Sequence, residues 1–367
     1  MNEKRFSYTV FLAVSMVLFL GSFIIGANQE EQKQNIEIEL SKEQSEVLKC
    51  QRLIKQNKLE EALTCAAKLV IDYPKNSAAF SLRGQIYFMK GEYKAALEDV
   101  NRAVSLAPGD STIYFNRGVI YFKLRDYHAA IKDFSQSIKL KPKNANVYHW
   151  RASAYQLLEK HREALGDIDK YIELMPKDSN GYSKRAKILY ELKRTEQALS
   201  DCDRAEALDP KNFIAVNLKG LIYLLKGEFE KARLEFNKAI KLKPGDNAIY
   251  NNRGVCCWLL GKRKEAIRDL KKSIQLSPKF FKSYYHLGYF MHRENDRDKA
   301  KSYFLRAFAL YPRLIRHGEK VIEFTTNPRL KQFAGDELAA AKEYLMAAGK
   351  ILPAGETKVN AKPPQKH

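Results

Sequence analysis

Charged side chains at two repeated positions have the clearest chemical spacing in this chain of 367 residues. Six bases lie 34 residues apart, and an acid follows each base after sixteen residues. Where the base changes from arginine to lysine, the acid changes from aspartate to glutamate. This covariation predicts structural ion pairs, which fix orientation more than they add stability. An arginine ladder for an anionic ligand is the weaker alternative, because each base already has an acid. The predicted pairs are Arg83 with Asp99, Arg117 with Asp133, Arg151 with Asp167, Arg185 with Asp201, Lys219 with Glu235, and Arg253 with Asp269.

Histidines, which could ligate a metal or act as general bases, form no recognisable site. None of the seven has the spacing of metal ligands, and the chain contains neither a G-x-S-x-G motif nor a phosphate-binding glycine loop. The sequence therefore predicts no enzyme, no metal and no cofactor. The histidines are His128, His149, His161, His286, His292, His317 and His367.

The spacing also indicates how the chain is organised. Eight prolines recur every 34 residues, from Pro74 to Pro312. Position 20 of each unit is alanine and position 8 is always small, which marks a close approach of two helices. A constant period of this length predicts stacked helix pairs, an all-α solenoid. With proline as position 32, the repeats are 43–76, 77–110, 111–144, 145–178, 179–212, 213–246, 247–280 and 281–314.

These columns resemble the tetratricopeptide repeat, whose pattern is W-x2-L-G-x2-Y, then A-x3-F, then proline. The resemblance covers residues 43–314, and it departs from the pattern at position 7, where the base of the ion pair replaces leucine in most repeats. It implies a right-handed α-α superhelix of about eight helix pairs. The first helix of each repeat, here called helix A, would line a concave groove, and the second, helix B, would lie outside.

The groove is formed by positions 2, 5, 6, 9, 12 and 13 of each repeat, which are rich in aromatic and amide side chains. Amides can bond the backbone of an extended peptide and aromatic faces can hold its side chains. The competing interpretation is that many of these aromatics pack between neighbouring repeats. The candidate peptide-binding residues are Phe88, Phe115, Asn116, Phe122, His149, Tyr190, Asn217, Asn251, Asn252, Trp258, Lys282, Tyr285, His286 and Tyr289.

The sequence thus favours a non-catalytic scaffold or adaptor that binds a peptide segment or a partner domain. A holder of unfolded or exported proteins and a regulatory subunit of an envelope enzyme are the alternatives, and fold alone cannot choose between them. Relatives that grip the acidic tails of heat-shock chaperones use lysines and asparagines at set positions. Asn252, Lys282 and His286 match that set, but Asn217 and Leu221 depart from it. The resemblance therefore implies an incomplete clamp.

The five cysteines give little further chemistry. Cys202 and Cys257 fall on core columns, where a thiol is a small apolar side chain. Cys256 and Cys257 are interpreted as two free thiols rather than a vicinal bridge. Cys50 and Cys65 lie on the two helices of the first repeat and could form a disulfide if the compartment is oxidising.

The N-terminus carries a segment of membrane-directed character. Residues 6–27 contain no charged side chain, and 22 residues can span a bilayer of about 30 Å as a helix. We expect residues 1–27 to be an uncleaved anchor, with a cleaved signal peptide as the alternative. The basic end would stay cytoplasmic and the repeats would be periplasmic or lumenal. A third topology has the repeats facing the cytosol from an organelle. Residues 28–42 are predicted to be an acidic spacer.

The net charge of +21 resides in the repeats and the tail. Lysines near the end of helix B, such as Lys139 and Lys141, complement the helix dipole and keep the surface soluble. An acidic partner or an anionic lipid is the sharper alternative, and nucleic acid is not expected.

The period ends after residue 314, and residues 315–352 are predicted to be capping helices. We expect one or two irregular helical turns from Ile315 to Phe333, broken by Asn327-Pro328, then a helix from Asp336 to Lys350 with Asp336 as its N-cap. This helix would cover the exposed edge of the last repeat, since stacked repeats need such a cap. Residues 353–367 are polar and basic, and we expect them to be disordered.

Overall fold

A computed structural model describes residues 42–351, and this part of the chain is all-α with no strand. The all-α solenoid prediction is confirmed. The predicted anchor or signal peptide, the spacer up to residue 41 and the tail from residue 353 lie outside the described residues. Between residues 42 and 351, no helix has both the length and the apolar character needed to cross a bilayer.

The helices fall into two compact units, divided after Lys160. In the first unit, α1/α2, α3/α4 and α5/α6 are the A/B pairs of repeats 1 to 3, and α7 is helix A of repeat 4. The helices are α1 (Lys42–Lys55), α2 (Leu59–Asp72), α3 (Ser77–Lys90), α4 (Tyr93–Leu106), α5 (Ser111–Lys123), α6 (Tyr127–Leu140) and α7 (Ala145–Leu157).

The second unit begins with α8, which is helix B of repeat 4. The pairs α9/α10, α11/α12, α13/α14 and α15/α16 form repeats 5 to 8, and two further helices follow. The helices are α8 (His161–Leu174), α9 (Ser179–Glu191), α10 (Thr195–Leu208), α11 (Phe213–Lys226), α12 (Phe229–Leu242), α13 (Asn247–Leu259), α14 (Arg263–Leu276), α15 (Phe281–Arg293), α16 (Arg297–Leu310), α17 (Leu314–Phe324) and α18 (Pro328–Ala347).

The small residues at positions 8 and 20 are where the helices of a repeat meet, as the sequence predicts. The alanine at position 20 is completely buried in all eight repeats. At Gly118, a Cβ atom would lie 2.6 Å from the ring of Phe134 on the paired helix. Any side chain at this glycine would therefore push the two helices apart.

Side chains that end and begin helices recur with the same period. Gly91 and Gly227 end helices α3 and α11 in the left-handed conformation, with φ of 85° and 79°, as expected for glycine at a helix C-terminus. Position 34 is asparagine or aspartate in most repeats, and in five of them its side chain caps the following helix A. Asp110, for example, accepts a hydrogen bond of 2.7 Å from the backbone N–H of Thr112.

The C-terminal helix begins earlier than the sequence analysis predicted. Helix α18 starts at Pro328, and the side chain of Asn327 caps it by accepting from the N–H of Leu330 at 3.0 Å. Asp336 therefore lies inside the helix and is not its N-cap, so that prediction was wrong. The physical reason is that proline suits the first turn of a helix, where its missing N–H costs nothing. Helices α17 and α18 are consecutive and pack against each other. Residues 314–347 are called the C-terminal hairpin below.

Candidate peptide-binding groove

Paired charges hold helix A against helix B in four of the repeats. In each pair the guanidinium donates two hydrogen bonds of 2.7–2.8 Å to one carboxylate. The aspartates are buried, so these two-pronged contacts fix the orientation of the helices. These arginines are therefore engaged in the structure rather than presented to a ligand. The pairs are Arg83 with Asp99, Arg117 with Asp133, Arg185 with Asp201, and Arg253 with Asp269.

Repeat 6 departs from the predicted pattern. Lys219 contacts Asp203 at 2.8 Å and Glu206 at 2.9 Å, both on helix B of the preceding repeat. Glu235 instead accepts from Lys238 on its own helix at 3.1 Å. The predicted pair of Lys219 with Glu235 is therefore wrong. A lysine ammonium is a point charge on a flexible stem and lacks the planar fork that directs arginine to one carboxylate.

One predicted pair stays a prediction. Arg151 belongs to the first unit and Asp167 to the second. Within the first unit, Arg151 donates to the hydroxyl of Ser135 at 2.9 Å.

A small cleft lies between α3 and α5, the A helices of repeats 2 and 3. Two predicted groove residues, Phe88 and Asn116, are among its lining residues. Within the described residues, the side-chain amides of Gln85 and Asn116 make no hydrogen bond to another protein group. The cleft therefore combines an apolar wall with two amides available to a ligand. Its lining residues are Ser81, Gly84, Gln85, Phe88, Val100, Asn116, Val119 and Ile120.

Other predicted groove residues of the first unit pack against the protein. Phe115 is only 8% exposed and its ring centroid lies 6.0 Å from that of Phe134, so the structure places it in the core. Phe122 meets the ring of Trp150 edge-on at 5.2 Å, and thus packs between repeats 3 and 4. His149 is half-buried beside Trp150. Burying aromatic area is favourable, which is why the alternative of packing between repeats holds here.

The predicted asparagines of the second unit form a hydrogen-bonded series along the A helices. Asn252 donates to the amide oxygen of Asn217 at 3.3 Å. Ser283 donates to the amide oxygen of Asn251 at 3.0 Å, and Asn251 is buried. The side chains of repeats 6, 7 and 8 are thus linked through their helix A faces. These amides are engaged with one another, unlike Gln85 and Asn116.

The aromatic groove residues of the second unit are packed within the protein, several of them beneath the C-terminal hairpin. Tyr190 contacts the ring of Phe324 at 5.3 Å and Tyr289 that of Phe333 at 5.3 Å. Tyr285 is 4% exposed and lies against Gly318, while Trp258 stacks on Phe290 at 3.9 Å. His286 Nδ1 lies 2.6 Å from a carboxylate oxygen of Glu337.

The C-terminal helix α18 packs on both helices of repeat 8, as the sequence analysis expected. Not expected was the reach of α17 to repeat 5, through the contact of Phe324 with Tyr190. The aromatic residues that follow Pro312, the last of the periodic prolines, are the signal in the sequence that could have indicated this packing: they include Phe324, Phe333 and Tyr344.

The groove side of the second unit is basic. Burial, together with the charge of neighbouring Lys187, lowers the pKa of Lys184 to about 7. Burial also lowers the pKa of Lys282, which is half-buried on α15. The hairpin places Glu337 on this face, and burial raises the pKa of that carboxyl although His286 opposes the shift.

Replacement of His317 with phenylalanine is expected to make the protein more resistant to acid. Burial, and then the charges of Lys282 and His286, lower the pKa of His317 to about 4. A base with a lowered pKa contributes stability above its unfolded pKa of about 6.5, and this stability is lost as the pH falls toward 4. The full shift would correspond to about 3 kcal/mol, which partial exposure reduces to about 1–2 kcal/mol.

Urea midpoints of both proteins at pH 4.5 and pH 7.5 test this expectation. Phenylalanine keeps the ring packing of His317 on Phe281, whose centroid lies 5.3 Å away. Glu337 titrates in both proteins, so its contribution cancels in the comparison. An equal loss of stability in the two proteins at pH 4.5 would contradict a buried neutral imidazole.

Comparison with known sequences finds one family. Models described as Tetratricopeptide repeat match residues 85–149, residues 49–111 and 183–247, and residues 248–280 and 281–314. Together these matches cover well over half of the chain. Among curated proteins, no sequence matches this chain.

Comparison with solved structures finds the same architecture. A chain of the APC/C hetero-tetramer Cut9-Hcn1 aligns with a TM-score of 0.56 and 18% identity, covering 83% of this chain and 57% of that chain. This chain thus spans less than two thirds of that protein. A tetratricopeptide repeat protein from Parabacteroides merdae ATCC 43184 aligns with a TM-score of 0.55 and 19% identity, covering 64% of this chain and 93% of that chain. At such identities the likeness concerns the fold alone.

Proposed function

Because this chain belongs to the tetratricopeptide repeat family, we propose that it is a non-catalytic adaptor that binds an extended segment of a partner protein between α3 and α5. The fold fits a protein-interaction scaffold. The observation that carries the proposal is the composition of the cleft. Phe88, Val119 and Ile120 supply apolar surface beside the amides of Gln85 and Asn116.

This arrangement suits an extended peptide for a chemical reason. Each side-chain amide both donates and accepts, so it can pair with a peptide N–H and a peptide C=O at once. Gln85 belongs to repeat 2 and Asn116 to repeat 3, so the two amides can bind successive parts of one segment. An apolar side chain of that segment would pack on Phe88. Main-chain contacts then give affinity and the apolar contact gives selectivity.

Replacement of Gln85 and Asn116 together with alanine is expected to abolish capture of the partner. Each lost hydrogen bond is worth about 1 kcal/mol, so loss of the four that the two amides can make should lower the affinity about a thousandfold. A photo-crosslinking residue at Ser81, in the full-length protein in its native cells, would measure the captured amount. Gln136→Ala is the matched control, because Gln136 is an amide on helix B of repeat 3 that does not line the cleft.

The same experiment separates the adaptor from its alternatives. One dominant partner, lost from the double variant and kept by the control, supports the adaptor. A broad catch of unrelated chains would favour a holder of unfolded or exported proteins. A single partner that the double variant retains would favour a regulatory subunit that docks through another surface.

We further propose that the repeats lie outside the cytoplasm, tethered by the apolar segment of residues 6–27. The disulfide between Cys50 and Cys65 supports this location, because disulfides persist in oxidising compartments. The remaining cysteines of the described part are free and buried, and burial raises the pKa of Cys256 to about 12. Alkylation of Cys50 and Cys65 in intact cells quenched with N-ethylmaleimide would overturn this location.

A further inference from the structure

The C-terminal hairpin lies on the face of helix A that forms the predicted groove. Positions 6, 9 and 12 of α15 each contact α18, in three successive turns of that helix. The contacts are His286 Nδ1 to a Glu337 carboxylate oxygen at 2.6 Å, the ring of Tyr289 to that of Phe333 at 5.3 Å, and His292 Nδ1 to the Tyr344 hydroxyl at 3.3 Å.

The hairpin also contacts the three preceding repeats. Lys193 at the end of α9 donates to the carbonyl of Glu323 at 3.2 Å. The guanidinium of Arg329 lies 5.2 Å from the ring centroid of Phe229 and donates to the carbonyl of Leu259. Repeats 5, 6, 7 and 8 thus all contribute to the surface that the hairpin covers.

Helix α18 packs on repeat 8 in the way that a bound amphipathic helix packs in a groove. Its apolar residues bury one face against α15 and α16, and its exposed residues lie on the other face. An amphipathic helix in a groove is a common mode of protein recognition. The buried apolar residues recur about once a turn and are Leu330, Phe333, Ala334, Leu338, Ala340, Ala341, Tyr344 and Leu345.

Charge adds selectivity to this contact. Glu337 is 3% exposed and contacts His286 of α15, whose Nδ1 lies 2.6 Å from a carboxylate oxygen. A buried carboxyl on a basic surface is the feature that an acidic helix would share with α18.

The closed hairpin leaves polar groups poorly satisfied. Glu337 has one hydrogen-bond partner, His286, and within residues 42–351 the buried hydroxyl of Tyr285 has none. A buried carboxyl with one partner and a buried hydroxyl without any both cost free energy. These costs weaken the closed state, so a separate helix with the same pattern can compete with α18.

We propose that the helix A face of repeat 8, together with the adjoining helix ends and turns of repeats 5 to 7, is a second protein-binding surface, which the C-terminal hairpin covers in the free protein. Its partner is an amphipathic helix with an aromatic residue one turn before an acidic residue, the pattern that Phe333 and Glu337 give to α18. The partner helix takes the place of α18 on α15. This surface uses none of the residues of the cleft between α3 and α5, so either proposal can fail without the other.

The test is binding of a labelled peptide with the sequence of residues 328–347 to the full-length protein. A loosened variant, Phe324→Ala with Arg329→Ala, removes the side-chain contacts of Phe324 with Tyr190 and of Arg329 with Phe229 and Leu259. We expect this variant to bind the peptide at least tenfold more tightly than the wild type does. A peptide carrying Glu337→Lys should bind the loosened variant at least tenfold more weakly. Arg316→Ala with Lys331→Ala is the control, because both residues are exposed on the hairpin.

Each other outcome would overturn the proposal. A loosened variant that keeps its helical circular dichroism but binds no better than the wild type shows that the surface accepts no second helix. Equal binding of the Glu337→Lys peptide excludes an acidic partner.

Hydrogen exchange of the wild type keeps the test decisive if the loosened variant does not fold. The amides of α17 and α18 should exchange faster than those of α13 and α15, because the hairpin opens before the repeats do. Equal protection of the four helices would show that the hairpin opens only together with the repeats, which would contradict the proposal.

Discussion

Replacement of both Cys50 and Cys65 with alanine is expected to free α1 from the first repeat. The disulfide closes a loop of 15 residues, and such a crosslink removes enough loop-closure entropy from the open state to contribute about 3 kcal/mol. In a repeat protein each repeat is stabilised mainly by its neighbours. The free energy of opening α1 and α2 should therefore fall by about 3 kcal/mol, while distant repeats change little.

Hydrogen exchange of the α1 amides, with and without dithiothreitol, measures this effect. Reductant should deprotect α1 in the wild type and should change nothing in the double alanine variant. Cys202→Ala is the matched control, because it removes a free buried thiol and keeps the disulfide. Protection of α1 in the wild type that is unchanged by reductant would mean that the disulfide does not hold the helix.

Replacement of Gly220 with alanine is expected to lower the free energy of unfolding by about 2 kcal/mol. The new Cβ atom would lie 2.5 Å from Cε1 of Phe236, whose side chain is fully buried and cannot move aside. This loss should occur although alanine favours a helix over glycine by about 1 kcal/mol. Chemical denaturation of the full chain measures it.

Two further variants control this prediction. Gly166→Ala lies in helix α8 where no atom would approach the Cβ within 4 Å, so it should stabilise the protein by about 0.5–1 kcal/mol. Adding Phe236→Cys to Gly220→Ala recreates the pairing of repeat 5, where Ala186 and Cys202 are both fully buried. The double variant should lose less stability than the two single losses added together. A Gly220→Ala protein as stable as Gly166→Ala would contradict the close approach of α11 and α12.

The repeated contacts of this protein could be predicted from the sequence because they lie within one repeat or between neighbours. Such contacts impose the same residue type at the same position of each unit, as the alanine at position 20 illustrates. The pair of Arg117 with Asp133 was predictable for the same reason, since an arginine fork and a carboxylate constrain each other. A lysine imposes no such geometry, and the position of Lys219 was therefore decided by the acids within its reach.

The candidate site was predictable only in part. Position in the repeat correctly selected Phe88 and Asn116 as lining residues of the cleft, but it also selected Phe115, which is buried. The position of a residue within the 34-residue repeat assigns its side chain to one face of a helix. Whether that side chain stays accessible depends on the size of the residues packed around it, which differ from repeat to repeat.

The sequence by itself determined the fold, the number of repeats and the pairing of helices. This was possible because contacts within a repeat and between neighbouring repeats recur with the period of the sequence. Only the tertiary structure decided that the C-terminal hairpin covers helix A of repeat 8 and reaches the helix ends of repeats 5 to 7. The hairpin lies outside the 34-residue period, so no recurring residue type indicates its contacts. The contact of Phe324 with Tyr190 joins residues far apart in the chain, and it forms because stacking of the intervening repeats brings their surfaces together.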